Sequence, residues 1–299
     1  MYQKRVRTSE VLMEGENSTR NRIPLYSELK KDKKAVSSAI STVILTGAVI
    51  AMIIVASVFA YRFLDSQLAE SEFSAMKQFM QNVGLQIDDV AWILGRTQTI
   101  RYASRYGQVK FEPSTLNYTI YVNDVHLATY SVGIISFNMP HSTYTIGNDY
   151  YERLFPSSGS LLLQIGTSAL VCYLFVVEKI PMPSGNFIRV VATPSIRMLN
   201  STIFTGETEK NYFKFYLPVL KSGTSPHYSQ SVTLVGSSVS VETKSGDTVR
   251  INVSFPRASE GFDADFFHFD EIEEIVNFPD DSVVEFFTGE VVVSLGLYA

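Results

Sequence analysis

Eleven carboxylates crowd the 42 residues after Arg257, a stretch without a single Lys or Arg, beginning at Glu260, Asp263 and Asp265 and ending at Glu285 and Glu290. Two arrangements relieve such repulsion: a solvated acidic face, or a hard cation, for which Asp263 and Asp265 are the candidate ligands because Ca²⁺-type ions favour grouped carboxylate oxygens. The first is the favoured reading, since the Gly at the bend and the distal Glu of an EF-hand loop are missing. Asp270 followed by Glu273 reads as an N-cap and a first-turn acid, predicting a short helix that ends before Pro279. The four histidines, His126, His141, His227 and His268, are scattered with no metal-ligand spacing. GxSxG, a phosphate-cradling Gly loop and CxxC are all missing, so hydrolase and nucleotide chemistry lack a starting residue. No catalytic residue and no cofactor are assigned, and the expectation is a protein that is not an enzyme. The only cysteine, Cys172, cannot form an internal disulfide and reads as a small buried apolar residue.

Three Asn-X-Ser/Thr sequons, at Asn117, Asn200 and Asn252, are candidate glycosylation sites. A fourth, at Asn17, precedes the segment described next and is expected to be silent.

What positions these groups is the stretch Ala35–Tyr61, twenty-seven residues without a charge. As a helix it would extend about 40 Å, enough for a hydrocarbon core of about 30 Å. Twelve Ile, Val, Leu and Phe residues between Val36 and Phe59 each favour insertion by about 0.3–0.6 kcal/mol. The run is too long for the apolar region of a secretory signal peptide. Residues 1–35 carry a net charge of +4 and residues 62–299 one of −9. Basic residues beside one end of a span favour the cytoplasm, so the prediction is a single-pass cell-membrane protein with its N-terminus inside and its large C-terminal part outside. An acidic outer part is a poor nucleic-acid binder. Ala35, Ala39, Gly47 and Ala51 share one i, i+4 row, interrupted by Val43, that would admit a second helix closely.

Lys33-Lys34-Ala35-Val36-Ser37-Ser38-Ala39-Ile40 and the apolar run behind it resemble the N-terminal region of archaeal type IV pilins and pilin-like proteins. The resemblance covers residues 30–60. It implies that a prepilin-type peptidase removes a charged leader, with Lys34 and Ala35 as the last leader residues and Val36 as the new N-terminus. It also implies other pilin subunits as partners of the helix, alongside the lipid bilayer. The plainer alternative is an uncleaved single-span anchor.

The helical signal continues past Arg62. Phe73, Met76, Met80, Val83, Ile87, Val90 and Leu94 recur at alternating spacings of 3 and 4, a seam better suited to packing on the chain's own strands than to a coiled coil. Gly95 is the expected stop and Gly84 a place where the helix could bend. From Thr97 the pattern turns to strands: 97–111, 116–123, 125–138, 186–193, 211–217, 230–243 and 248–255. Two hairpins are predicted, one turning at Lys244–Asp247 and one at Thr288–Gly289 between 283–287 and 291–297. The second charge-free stretch, 155–177, reads as two buried strands around a turn at Gln164, Gly166, Thr167 and Ser168 in preference to a second span.

The fold class expected is therefore α+β: a leader over 1–34, a transmembrane helix over 35–61, an amphipathic stem helix over 62–95, and a mainly antiparallel β domain over 96–299, in which 194–206 is a weak candidate for a boundary between two subdomains. The functional expectation is a pilin-like envelope protein that displays this domain outside and assembles into a pilus or pseudopilus. The alternative is a non-polymerising, membrane-anchored surface binding module.

Overall fold

The computed structural model describes residues 25–163, 172–205, 208–224 and 230–296. One long helix, α1 (Leu25–Ala91), precedes a mostly β region. The strands are β1 (Thr97–Arg101), β2 (Gln108–Val122), β3 (Val125–Pro140), β4 (Tyr150–Phe155), β5 (Leu162–Leu163), β6 (Cys172–Glu178) and β7 (Phe187–Pro194). They continue with β8 (Ile196–Thr205), β9 (Thr208–Ser222), β10 (Ser231–Ser245), β11 (Thr248–Ser254), β12 (Glu273–Asn277) and β13 (Val283–Leu295), with a four-residue helix α2 (Ala264–Phe267) before β12. The chain divides into two compact units, Met1–Arg62 and Phe63–Ala299.

In the first unit, α1 already runs through residues 25–34, which the sequence predicts as an irregular leader. Glu28, Leu29, Lys30 and Lys31 are residue types of high helix propensity, which accounts for the early start. From Ser37 to Arg62 every side chain is exposed. The hydroxyls of Thr42, Thr46 and Ser57 donate back to carbonyls one turn earlier, at 2.7–3.1 Å, so these three polar residues inside the apolar run are satisfied within the helix. A helix apolar on all sides, with its side chains exposed among the described residues, suits lipid. Among the described residues it is the one helix long and apolar enough to cross a membrane.

In the second unit the seam is the helix's packing face. Phe73, Met76, Met80, Val83, Ile87 and Val90 are buried, together with Ala69 and Ala91, against Ile135, Phe137, Leu174, Val190, Leu234 and Val291 from the strands. Each large side chain contributes about 1.5–3 kcal/mol of apolar burial. Leu94 does not belong to this set: α1 ends at Ala91, and Leu94 is 72% exposed in the turn that follows. The helix passes through Gly84 unbroken. Gly95 takes the left-handed conformation expected of a stop, with φ +76°, and donates to Gly236 O at 2.8 Å.

Two sheets complete the unit, one ordered β1-β10-β13-β9-β8-β5 and the other β12-β11-β2-β3-β7-β6-β4. Most pairings are antiparallel, while β13–β9 and β5–β8 are parallel. A core between the sheets gathers Tyr118, Ile134, Phe175, Phe215, Phe262 and Phe286. Neighbouring residues such as Ile134 and Ile135, or Phe175 and Val176, fall in this core and in the helix-facing one respectively, so the C-terminal half of β3 and all of β6 are buried on both faces.

Several expectations are corrected here. Residues 97–111 do not form one strand, because the loop 102–107 separates β1 from β2. Neither predicted hairpin forms. β10 and β11 lie in different sheets, and the chain crosses between them at Gly246–Asp247, where Asn123 Oδ1 accepts from the backbone of Asp247 and Thr248 at 3.0 and 3.1 Å. Thr288 and Gly289 sit in the middle of β13, bonded to β10 on one side and β9 on the other. The segment after Asp270 is strand β12 and not a helix, since Ile275 and Val276 favour extended backbone and pair with Arg250 and Val249 of β11. Of the 155–177 stretch, β5 and the start of β6 are buried strands in different sheets; the turn expected at residues 164–168 lies outside the described residues. The stretch 194–206 carries β8, paired along its length with β9.

Two of the strand glycines, Gly236 and Gly289, have a packing reason in the end of α1. A Cβ on Gly289 would lie 2.2 Å from Ala91 O, and one on Gly236 would lie 2.5 and 2.6 Å from the carbonyls of Ile93 and Val90. The end of α1 thus lies directly on bare strand backbone. Gly289→Ala is expected to destabilise by about 1–3 kcal/mol, the usual cost of overpacking against groups that cannot move aside. Chemical denaturation should show a lowered midpoint at unchanged slope; an unaltered midpoint would exclude this contact as a determinant of stability.

Candidate functional site

Asp149, Tyr150, Val177, Glu178, Lys179, Asp265 and His268 line a cleft of about 260 Å³. Its floor is the end of β6. Glu178, the last residue of that strand, pairs with Tyr150 of β4 and turns its carboxylate toward the connecting segment 141–149. The buried carboxylate accepts from Thr145 Oγ1 at 2.6 Å, Ile146 N at 2.8 Å and Gly147 N at 3.0 Å, and meets His141 Nδ1 at 2.7 Å. Burial alone would raise its pKa. The donors from Gly147, Thr145, Ile146 and His141 outweigh it and hold the group below its ordinary 4.5.

The opposite wall comes from α2. Asp263 caps this helix by accepting from Phe266 N at 3.0 Å, and Lys179 Nζ donates to both its oxygens at 2.6 and 2.7 Å. His268 closes the helix in a left-handed conformation and stacks on Tyr151 with ring centroids 4.0 Å apart. Desolvation against that ring lowers its pKa below 6.5, with Asp265 opposing, so the imidazole is neutral at pH 7. The lining contains no Ser, Thr or Cys, the Glu178 oxygens are occupied, and Lys179 is held by Asp263. What faces outward is the negative rim of Asp149 and Asp265, both exposed. The arrangement suits polar recognition; it contains no activated nucleophile.

The acidic C-terminal stretch is relieved mainly from within. Besides Asp263, Asp270 accepts from Gly159 N at 2.9 Å and Glu274 accepts from Ser160 Oγ at 2.7 Å and Leu162 N at 3.0 Å. Glu260 pairs with Arg257, Glu285 with Lys214 and Glu290 with Lys221. The remaining five, Asp265, Glu271, Glu273, Asp280 and Asp281, are exposed, so for that part the solvated reading holds. Asp263 is committed to Lys179 and the helix cap, Asp265 lies two residues away on the cleft rim, and among the described residues no three potential ligands converge on one point.

The sequons differ in accessibility. Asn200 is exposed on β8. Asn117 and Asn252 are half-buried on the neighbouring strands β2 and β11, near one another because Asn252 pairs with Thr119, and the side-chain carbonyl of each is shut off from solvent without a partner. Lys34, Ala35 and Val36 lie within α1. Of the histidines, His126 meets Thr129 Oγ1 at 3.0 Å, His141 meets Glu178 behind the cleft, His268 lines the cleft, and His227 falls outside the described residues. Glu178 and Lys179 were not singled out in the sequence because they simply end an apolar run. The usable signal was that first carboxylate after more than twenty uncharged residues, too far along to lie outside the core.

Comparisons with known families, with characterised proteins and with solved structures return no match to this chain.

Proposed function

We propose that the chain is a pilin-like, single-pass envelope protein, oriented with its N-terminus in the cytoplasm, whose work is display and assembly and not catalysis. The observation that carries this reading is the continuity of α1. One unbroken helix supplies the apolar segment that suits a bilayer and, further along, the buried face Phe73–Val90 on which the outer strands pack. An anchor that merely tethered a domain would need no such sharing, since a flexible linker would serve. The helix therefore acts as a stem, and its N-terminal sequence Lys33-Lys34-Ala35-Val36 offers a peptidase a boundary between basic leader and apolar run. Lipid, a prepilin-type peptidase and further copies of the helix are the partners this reading supplies.

Intact mass and N-terminal sequencing of membrane-extracted protein from its native host test it. The expected mature chain begins at Val36. A chain that retains Met1 would favour the alternative, a non-polymerising surface module in which the β domain alone contacts a partner.

A further inference from the structure

We infer that the second unit rests on the bilayer surface through the loop Ser104–Gly107 and the helical segment Phe63–Leu68, which together form a membrane-interface contact. The inference rests on α1 crossing the membrane, and adds to it a contact by the outer domain itself.

Three observations carry it. First, the apolar character of the helix does not stop at Tyr61. Phe63, Leu64 and Leu68 are 59%, 61% and 56% exposed, although the strands of the same unit bury Ala69 and Phe73 just beyond them. Large apolar side chains left open beside an efficient core mark a surface that something covers. Second, the loop is tied to the helix at this level. Glu72 accepts from Ser104 Oγ, from Arg105 N at 2.9 Å and from Tyr106 N at 3.0 Å. From that anchorage the Tyr106 side chain reaches back along the helix, and its hydroxyl donates to Asp65. Third, Asp65 is only four residues past Tyr61. Four residues span at most about 14 Å even fully extended, and the polar layer on each side of the hydrocarbon is about 5–7 Å thick. Whatever the angle between the two units, Asp65 and the tyrosine it holds cannot be far from the head groups.

The chemistry of the loop fits that layer. Tyrosine is amphipathic and enriched at the interface, and Arg105 lies over the Tyr106 ring at 5.3 Å, placing a cation beside it where lipid phosphates would sit. The bond to Asp65 pushes the phenol above its ordinary pKa, so it stays a neutral donor there. The occupant is thus a phospholipid surface, with further copies of the chain as the competing one.

Depth-dependent fluorescence quenching tests the contact. Trp92 is the only tryptophan, so Trp92→Phe supplies a silent full-length background. Into it go Tyr106→Trp, Leu64→Trp, the span control Val55→Trp and the distant control Ile203→Trp, each reconstituted in phosphatidylcholine vesicles with acyl chains brominated near the head group. Quenched, blue-shifted emission from the Tyr106→Trp and Leu64→Trp proteins, with the Ile203→Trp protein unaffected, is the expected result. Quenching of the Val55→Trp protein alone would overturn the contact while leaving the span intact. No quenching of the Val55→Trp protein would remove the span and the contact with it. Quenching at Tyr106→Trp that disappears as the protein-to-lipid ratio rises would assign the surface to other copies of the chain and also overturn the proposal. The Leu64→Trp protein keeps the test decisive if loss of the Asp65 bond disturbs the loop.

Discussion

Ile50→Lys together with Ile54→Lys is expected to release the protein from the membrane. The two positions lie one turn apart in the middle of the apolar run, and both side chains are exposed. The twelve large apolar residues of the run together favour insertion by roughly 4–7 kcal/mol, while each lysine near the centre opposes it by about 2.5–3.5 kcal/mol and also removes an isoleucine. Two lysines therefore cancel the driving force, and neither is close enough to an end of the run to bring its ammonium to water easily. The serines and threonines do not alter this balance much, because Thr42, Thr46 and Ser57 satisfy their hydroxyls on the helix's own carbonyls. Alkaline extraction of membranes should move the double variant into the soluble or aggregated fraction. Ile50→Leu with Ile54→Leu should stay with the lipid. Retention of the lysine variant in the bilayer would mean that the run is not held there by hydrophobic insertion. Gln78→Lys with Gln81→Lys, on the exposed face beyond the run, should change nothing.

The parts of this molecule that could be read from its residues are those fixed by local periodicity. The apolar run and the 3-4 seam each specify a helix within a few turns, and six of the seven seam residues pack as their spacing requires. Leu94 fails because the helix ends where bare carbonyls meet Gly289 and Gly236, a tertiary contact invisible to periodicity. Strand existence was also largely legible; strand pairing was not. Gly246 and the Thr288–Gly289 pair carry the residues of a hairpin turn, yet one marks a crossing between sheets and the other a close approach of α1. Glycine permits all three uses, and only non-local partners choose among them. The same applies to the acidic stretch. Asp270 was a reasonable cap, but Asp263 caps α2 and Glu274 holds Ser160 and Leu162, partners more than a hundred residues away. The cleft was illegible for the same reason: its floor comes from β6 and its wall from α2.

Glu178 ties the end of β6 to the connection between β3 and β4, so its removal should destabilise the β domain. The carboxylate is buried, yet it organises the connection between β3 and β4 by accepting from Thr145, Ile146 and Gly147 and pairing with His141. Donors left without their acceptor cost about 1–3 kcal/mol, and no buried charge is stranded because the group removed is the charged one. Glu178→Ala is therefore expected to lower the unfolding free energy by about that amount. His141→Ala should cost under about 1 kcal/mol, since that imidazole is 44% exposed and water can replace it. Trp92, half-buried against Tyr216, reports both in full-length protein held in detergent. The acid response follows from the direction of the Glu178 shift. Its pKa in the folded protein lies below 4.5, so the fold binds the carboxylate more strongly than the acid. The stabilisation is fully present above pH 4.5 and fades as the pH falls through the lower folded value. Wild-type and Glu178→Gln proteins should consequently differ most at neutral pH and converge as the solution is acidified. A difference that persists unchanged to the acid limit would show that the amide disturbs packing alone, and that the charge of Glu178 does not hold the 141–149 segment in place.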